Sequence, residues 1–148
     1  IYKLVKSLLA KGVPIHGIGI QGHWSIYEPS RLQLEATIER FADLGLKIQV
    51  TELDISVYKK EAKREKTEQD VAQFTENQEQ LQRDQYRMIF EVFREKKALI
   101  SAVTFWNISD KHSWLDNFPI RGRKDYPLLF DTEFKPKKAY YEVINGLK

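Results

Sequence analysis

The 148-residue sequence is 42% hydrophobic and 30% charged, which suits one ordinary domain with a real core and is too short for two comfortable ones. Its 24 basic residues are nearly matched by 21 acidic ones, so the net charge of +3 provides no concentrated basic field for nucleic acid, and no apolar run approaches a bilayer span. Cysteine is absent, which excludes disulfides, thiolate metal sites and cysteine nucleophiles without deciding the compartment.

The first residues, IYKLVKSLLAKGVPI, read as an amphipathic helix running into a strand, with charges where a signal peptide would have an unbroken core; the chain reads as beginning mid-protein. IHGIGIQGHW follows as a short strand with β-branched bias. In PSRLQLEATIERFADLGL, Ser30 is an N-cap with Gln33 three residues on, Leu34, Ile38 and Phe41 share a face, and Gly45 suits the stop. KIQVTELDI is the second strand. The densely charged KKEAKREKTEQD is expected to be a solvated loop or helix start and carries no assigned function. From about Gln78 to Lys97, Leu81, Tyr86, Ile89 or Phe90, and Phe93 describe another amphipathic helix. ISAVTFWNIS is the third strand, and DKHSWLDNFPIRGRKDYPLLFD is an aperiodic stretch long enough to suspect a functional loop. A closing helix starts near Pro136, buries Ala139, Tyr140, Val143 and Ile144, and stops at Gly146.

Strands alternating with helices imply parallel strands joined by right-handed crossovers, with all strand C-terminal ends pointing one way. Side chains alternate along each strand. That groups Gly17, Gly19, Gln21 and His23 in the first, Ile48, Val50, Glu52 and Asp54 in the second, and Ala102, Thr104 and Trp106 in the third. Each of these faces turns polar or aromatic only toward its C-terminal end, so Glu52 and Asp54 can line the mouth of a parallel sheet or barrel, where ligands bind.

A lone acid at a strand end ordinarily serves solubility, and His16 and His112 are expected to be structural. Three strands converging changes that reading for Glu52 and Asp54, because Gln21 and His23 arrive at the same height. Metal ligation by His23, Glu52 and Asp54 would need a tighter spacing than the sequence offers, and neither a metal nor another cofactor is expected. Trp106 and Trp114 beside carboxylates and amides suit a sugar, whose C–H faces stack on indole while its hydroxyls seek hydrogen bonds. Glycosidases use two carboxyl groups flanking the scissile bond, roughly 5 to 5.5 Å apart when one is a nucleophile. Glu52 and Asp54, on one side of the mouth, suit a nucleophile and its support better than two groups astride a substrate.

The runs GIGIQGHW, VTELDIS, TFWNISDKHSWLD, YPLLFD and PKKAYYEVI, in that order and spacing, closely resemble the C-terminal portion of glycoside hydrolase family 10, the retaining endo-β-1,4-xylanases. The resemblance extends over nearly the whole chain. It implies an α/β fold: the C-terminal part of a (β/α)8 TIM barrel, with the present strands as its sixth, seventh and eighth. It further implies that Glu52 is the nucleophile, that His23 hydrogen-bonds it with Asp54 fixing the imidazole, and that Gln21, Trp106 and Trp114 bind xylan or xylo-oligosaccharide. Asn107 departs from the glycine usual after the first Trp, and Lys138 from the proline usual before the final Ala-Tyr; tuning is expected at both. Most family members are secreted, whereas GHW and IY in HWSIYEPS resemble a subgroup inside bacteria, so the compartment stays open.

The family's acid/base glutamic acid, on an Asn-Glu motif after the fourth strand, has no equivalent here, and a full barrel needs roughly 250 residues. Residues 1–148 are therefore expected to be a single partial catalytic domain. Its partner would be the missing N-terminal barrel half, or further copies covering the open edges. A non-catalytic carbohydrate-binding or self-assembling half barrel is the alternative. A different (β/α)8 hydrolase or a phosphate-binding barrel lacks support, because no Gly-rich phosphate loop is present.

Overall fold

The computed structural model describes residues 1–70 and 73–145, and in it the β-branched runs are parallel strands separated by helices. Helix α1 (Tyr2–Ala10) leads to β1 (Gly17–Ile20) and β2 (His23–Ser25), then α2 (Arg31–Ala42), β3 (Lys47–Ser56), α3 (Glu76–Glu95), β4 (Ile100–Phe105) and α4 (Lys138–Ile144). Both long helices open on capping boxes, Ser30 with Gln33 and Thr75 with Gln78, which satisfy N–H groups that the first turn leaves free. The second box starts α3 two residues before the expected Gln78. Helix α4 begins two residues after Pro136; Ala139 and Val143 are buried, Tyr140 and Ile144 half-buried, and the expected stop at Gly146 lies outside the described residues.

β3 is the centre of the sheet, and β1, β2 and β4 all pair parallel with it. The stretch expected as one strand, IHGIGIQGHW, is thus two, interrupted at Gly22, and both pieces lie along β3 in sequence. α2, α3 and α4 cover one face, where Leu34, Ile38, Ile89, Phe93 and Val143 close over Ile48, Val50, Leu53 and Ile55. The other face, with Gly17, Gly19, Lys47, Gln49, Ala102 and Thr104, is exposed.

After Val50, β3 carries one extra residue relative to both neighbours, whereas earlier, between Ile100 and Ala102, it is β4 that carries one. Between the pairs Ile20–Val50 and His23–Asp54, the first lane advances three positions and β3 advances four. Against β4, Val50–Val103 is followed by Leu53–Phe105, so β3 again gains one residue. Such a β-bulge shifts the side-chain alternation by one. Buried positions therefore move from Ile48 and Val50 to Leu53 and Ile55, and the expectation that Ile48, Val50, Glu52 and Asp54 share a face is corrected. The first pair belongs to the helix-covered core, and the two carboxylates leave it only because the bulge intervenes.

α3 holds the end of β3 in place. Its buried face contains Gln82, Tyr86, Ile89, Phe90, Val92 and Phe93, whereas Leu81, expected in the core, is at the surface. Gln82 Nε2 donates to the Ile55 and Tyr126 carbonyls at 2.9 and 2.6 Å, and Tyr86 Oη donates to the Pro127 carbonyl at 2.7 Å. These bonds fix the segment around Asp125–Pro127 beside β3, where Ile55 N donates to the Pro127 carbonyl. The charged segment after β3 forms no helix but is stapled: Arg64 grips Asp70 through two bonds of 2.7 and 2.8 Å, and Arg123 reaches Glu61 while lying over the Tyr58 ring.

Candidate active site

His23 begins β2 directly opposite Asp54, with Glu52 two residues earlier on β3. Its Nε2 lies 3.0 Å from Glu52 Oε2, and its Nδ1 lies 3.1 Å from Asp54 Oδ1, off the line of a good hydrogen bond. One imidazole thus stands between two carboxylates. A neutral ring has a single N–H to give, so donation to Glu52 leaves Nδ1 facing Asp54 with its lone pair unless a second proton joins the ring or Asp54.

Asp54 is 1% exposed, and burial pushes its carboxyl above the usual range, opposed first by a hydrogen bond from Trp114 and then by His23. That bond, from the indole Nε1 to Asp54 Oδ2 at 2.7 Å, gives Trp114 a polar task beside its aromatic one. The Trp114 ring tilts against His23 at 4.9 Å and stacks on Phe118 at 5.2 Å. Trp106, just past the end of β4, is half exposed and meets the His23 ring edge-on at 6.2 Å.

Five of the six residues singled out in the sequence, His23, Glu52, Asp54, Trp106 and Trp114, therefore meet around one imidazole. Gln21 stands exposed in the link between β1 and β2, and among the described residues it is not in hydrogen-bond or ring contact with His23. Asn107 acts on the loop, donating from Nδ2 to the His112 carbonyl at 2.9 Å and accepting from Ile108 N at 2.7 Å.

Sequence reasoning missed the wall beyond this group. A cavity of about 220 Å³ opens beside His23 and Asp54, lined also by Tyr58, Trp114, Phe118 and Arg123, while Glu52, Gln21 and Trp106 stand outside it. Asp125 supports its floor: buried, it accepts from Ser56 Oγ at 2.5 Å and from the Val57 and Tyr126 backbone N–H groups at 3.1 and 2.7 Å. Burial raises the Asp125 carboxyl and pushes the Tyr58 hydroxyl up to about 12. Nothing in the aperiodic RGRKDYP signals these contacts; only the need of a half-buried indole for an acceptor could have pointed from Trp114 to Asp54.

The glycosyl hydrolase family 10 model matches residues 1–146. The chain belongs to that family. The family 10 chain is 47% identical over 144 residues to endo-1,4-β-xylanase B of Paenibacillus barcinonensis, covering 97% of this chain and 42% of the relative. It is 48% identical to an endo-1,4-β-xylanase of Geobacillus stearothermophilus over 98% of this chain and 43% of that one. The crystal structure of the Paenibacillus xylanase with a conduramine derivative superposes with a TM-score of 0.88, and that of an endo-1,4-β-xylanase from Caldicellulosiruptor owensensis, 50% identical, with 0.90. A further neighbour with a TM-score of 0.90 is a mutant protein in complex with xylotriose. This family 10 chain spans less than half the length of these relatives, and its strands form the C-terminal part of their (β/α)8 barrel.

Proposed function

We propose that this chain carries the nucleophile side of a retaining endo-β-1,4-xylanase site, acting on xylan or xylo-oligosaccharide when the rest of the barrel is present. Glu52 attacks the anomeric carbon, forming a C–O bond as the glycosidic C–O bond breaks and its electron pair leaves with the departing oxygen. A glutamic acid from the remainder of the barrel protonates that oxygen, then takes a proton from the water that releases the sugar. The role of His23 is to orient the Glu52 carboxylate, that of Asp54 to fix the imidazole, and that of Trp106, Trp114 and Gln21 to bind the sugar chain. The observation that carries this reading is the 3.0 Å contact between His23 and Glu52 at the C-terminal end of parallel strands, where barrel active sites form.

The test joins this chain behind the N-terminal portion of the Paenibacillus xylanase. The joined protein is expected to cleave xylan, and Glu52→Gln to lower kcat on the order of 10³-fold or more. A 2-fluoro xyloside with a good leaving group should leave a glycosyl adduct on the Glu52 peptide, visible by mass. Undiminished turnover by the Gln variant overturns the assignment. The exposed Trp106 and the uncovered sheet face favour a second reading, a non-catalytic carbohydrate-binding or self-assembling half barrel. It predicts binding without cleavage, and no hydrolysis even of an activated aryl glycoside.

A further inference from the structure

We infer that Trp114 is a positioning residue, its indole N–H holding Asp54 so that Asp54 in turn sets the imidazole of His23 against Glu52. This rests on the assignment of Glu52 as nucleophile and adds a role for Trp114 separate from any contact with sugar.

The bond from Trp114 Nε1 to Asp54 Oδ2 is 2.7 Å, within the range of charge-assisted hydrogen bonds, and its acceptor is almost wholly removed from water. Asp54 Oδ1 is left to face His23 Nδ1. The carboxylate is therefore divided between an indole and an imidazole, and turning it toward one turns it away from the other. Groups facing Asp54 from neighbouring elements are His23 on β2, Asp125 on the loop after β4 and Tyr86 on α3. Of these and Trp114, it is Trp114 whose side chain donates a hydrogen bond to the carboxylate, while His23 Nδ1 faces Oδ1 off the line of a good bond.

The indole is itself held. It lies in a 3₁₀ turn, Trp114–Asp116, whose first free N–H, that of Leu115, donates to Ser113 Oγ at 3.2 Å. At the far end of the turn, Asp116 accepts from Lys124 Nζ at 2.6 Å and from Asp125 N at 3.0 Å. Phe118 stacks on the ring at an interplanar angle of 18°. A side chain serving only as a sugar platform needs its face presented and not its N–H; here the N–H is committed to a buried acid before any substrate arrives.

Trp114→Phe in the joined protein deletes the donor and keeps the aromatic wall. Without that donor, burial of Asp54 is opposed by His23 alone, so Asp54 takes up its proton at higher pH. The expected result is a fall in kcat of about ten-fold or more, KM changed by less than about three-fold, and an acid limb of the rate profile displaced to higher pH. A rise in KM with kcat and acid limb unmoved would mean a platform only and overturn the inference. Hydrogen exchange of the Trp114 indole N–H in the unsubstituted joined protein gives a second reading that survives a failure of the Phe variant to fold. Exchange slowed at least about ten-fold relative to a free tryptophan peptide supports the bond, and exchange at the free rate refutes it. Should the unsubstituted protein not cleave xylan, the proposed function fails, while the exchange measurement still decides whether Trp114 holds Asp54.

Discussion

Gly22 faces Val50 so closely that a Cβ built on it would lie 2.9 Å from Val50 Cγ1, and its backbone φ of +78° is one that other residues adopt with difficulty. Its carbonyl also accepts from Asp54 N, so this residue of the link between β1 and β2 helps place His23 opposite the second carboxylate. Gly22→Ala is expected to cost about 2–4 kcal/mol, combining the φ penalty with overpacking. Gly12, at φ +76° with nothing within 4 Å of its Cβ position, isolates the first contribution, and Gly12→Ala should cost about 1–2 kcal/mol. Urea midpoints of the two variants compare them directly, and equal losses would remove crowding from the explanation. The meeting of His23, Glu52 and Asp54 was legible because strand direction and parity can be read from residue order. What parity could not reveal is the extra residue in β3, since a bulge depends on how three strands register and leaves no mark in one of them.

The connection from Asn107 to Asp131 has only two short 3₁₀ turns of regular structure, yet it buries three charged residues, Asp110, Arg123 and Asp125. Asp110 is 1% exposed, accepting from Leu128 N at 2.8 Å and from Lys137 Nζ at 2.9 Å, and Lys137, 6% exposed, also donates to the Tyr126 carbonyl. This pair pins the start of the Trp114 loop to the residue that precedes α4. Burial outweighs Lys137 and raises the Asp110 carboxyl to about 6, and it raises Asp54 and Asp125 in the same direction. Above about pH 4, and up to about 6 for Asp110, these carboxyls hold protons that the unfolded chain has released, so their contribution to stability falls as pH rises, opposite in sign to that of Asp70 and Glu142, whose carboxyls ion pairs lower. For Asp110 alone the loss is up to about 3 kcal/mol, from roughly two pKa units. Asp110→Asn should flatten that part of the urea-midpoint profile, and at pH 7 should lose about 3 kcal/mol by leaving Lys137 without its counter-ion. A profile of unchanged slope in the variant would show that Asp110 does not titrate in this window. None of this was legible beforehand: the loop lacks periodicity, and Asp110 and Lys137 are 27 residues apart in the chain. The charged segment after β3 is the solvated loop its composition suggested, but its fastening was not legible for a similar reason, since the partner, Arg123, comes from this same loop.

At the scale of the whole chain, the alternation of strands and helices was enough to predict parallel strands with an apolar face for covering helices, and that prediction holds because α2, α3 and α4 each bury an apolar stripe on the sheet. The same reasoning identifies what is uncovered. β1 and β4 pair with β3 along one edge each, and the face of the sheet opposite the helices is solvent-exposed. α1 has no buried residue, with Leu4 62% exposed, and Ile108 beyond β4 is 68% exposed. Unpaired strand edges beside apolar surface favour association, because neighbouring chains can satisfy the free N–H and C=O groups and remove the apolar area from water together. The relatives are more than twice as long, and a closed barrel leaves no free strand edge. The chain by itself should therefore scatter light as a concentration-dependent assembly and bind a hydrophobic dye, whereas the protein joined to an N-terminal barrel portion should be monomeric and bind little. Supplying that N-terminal portion as a separate polypeptide should move the chain from its own assemblies into a one-to-one complex. A chain that stays monomeric alone at tens of micromolar, with a cooperative urea transition and no dye uptake, would show that its edges are self-protecting and that barrel completion is not what they require.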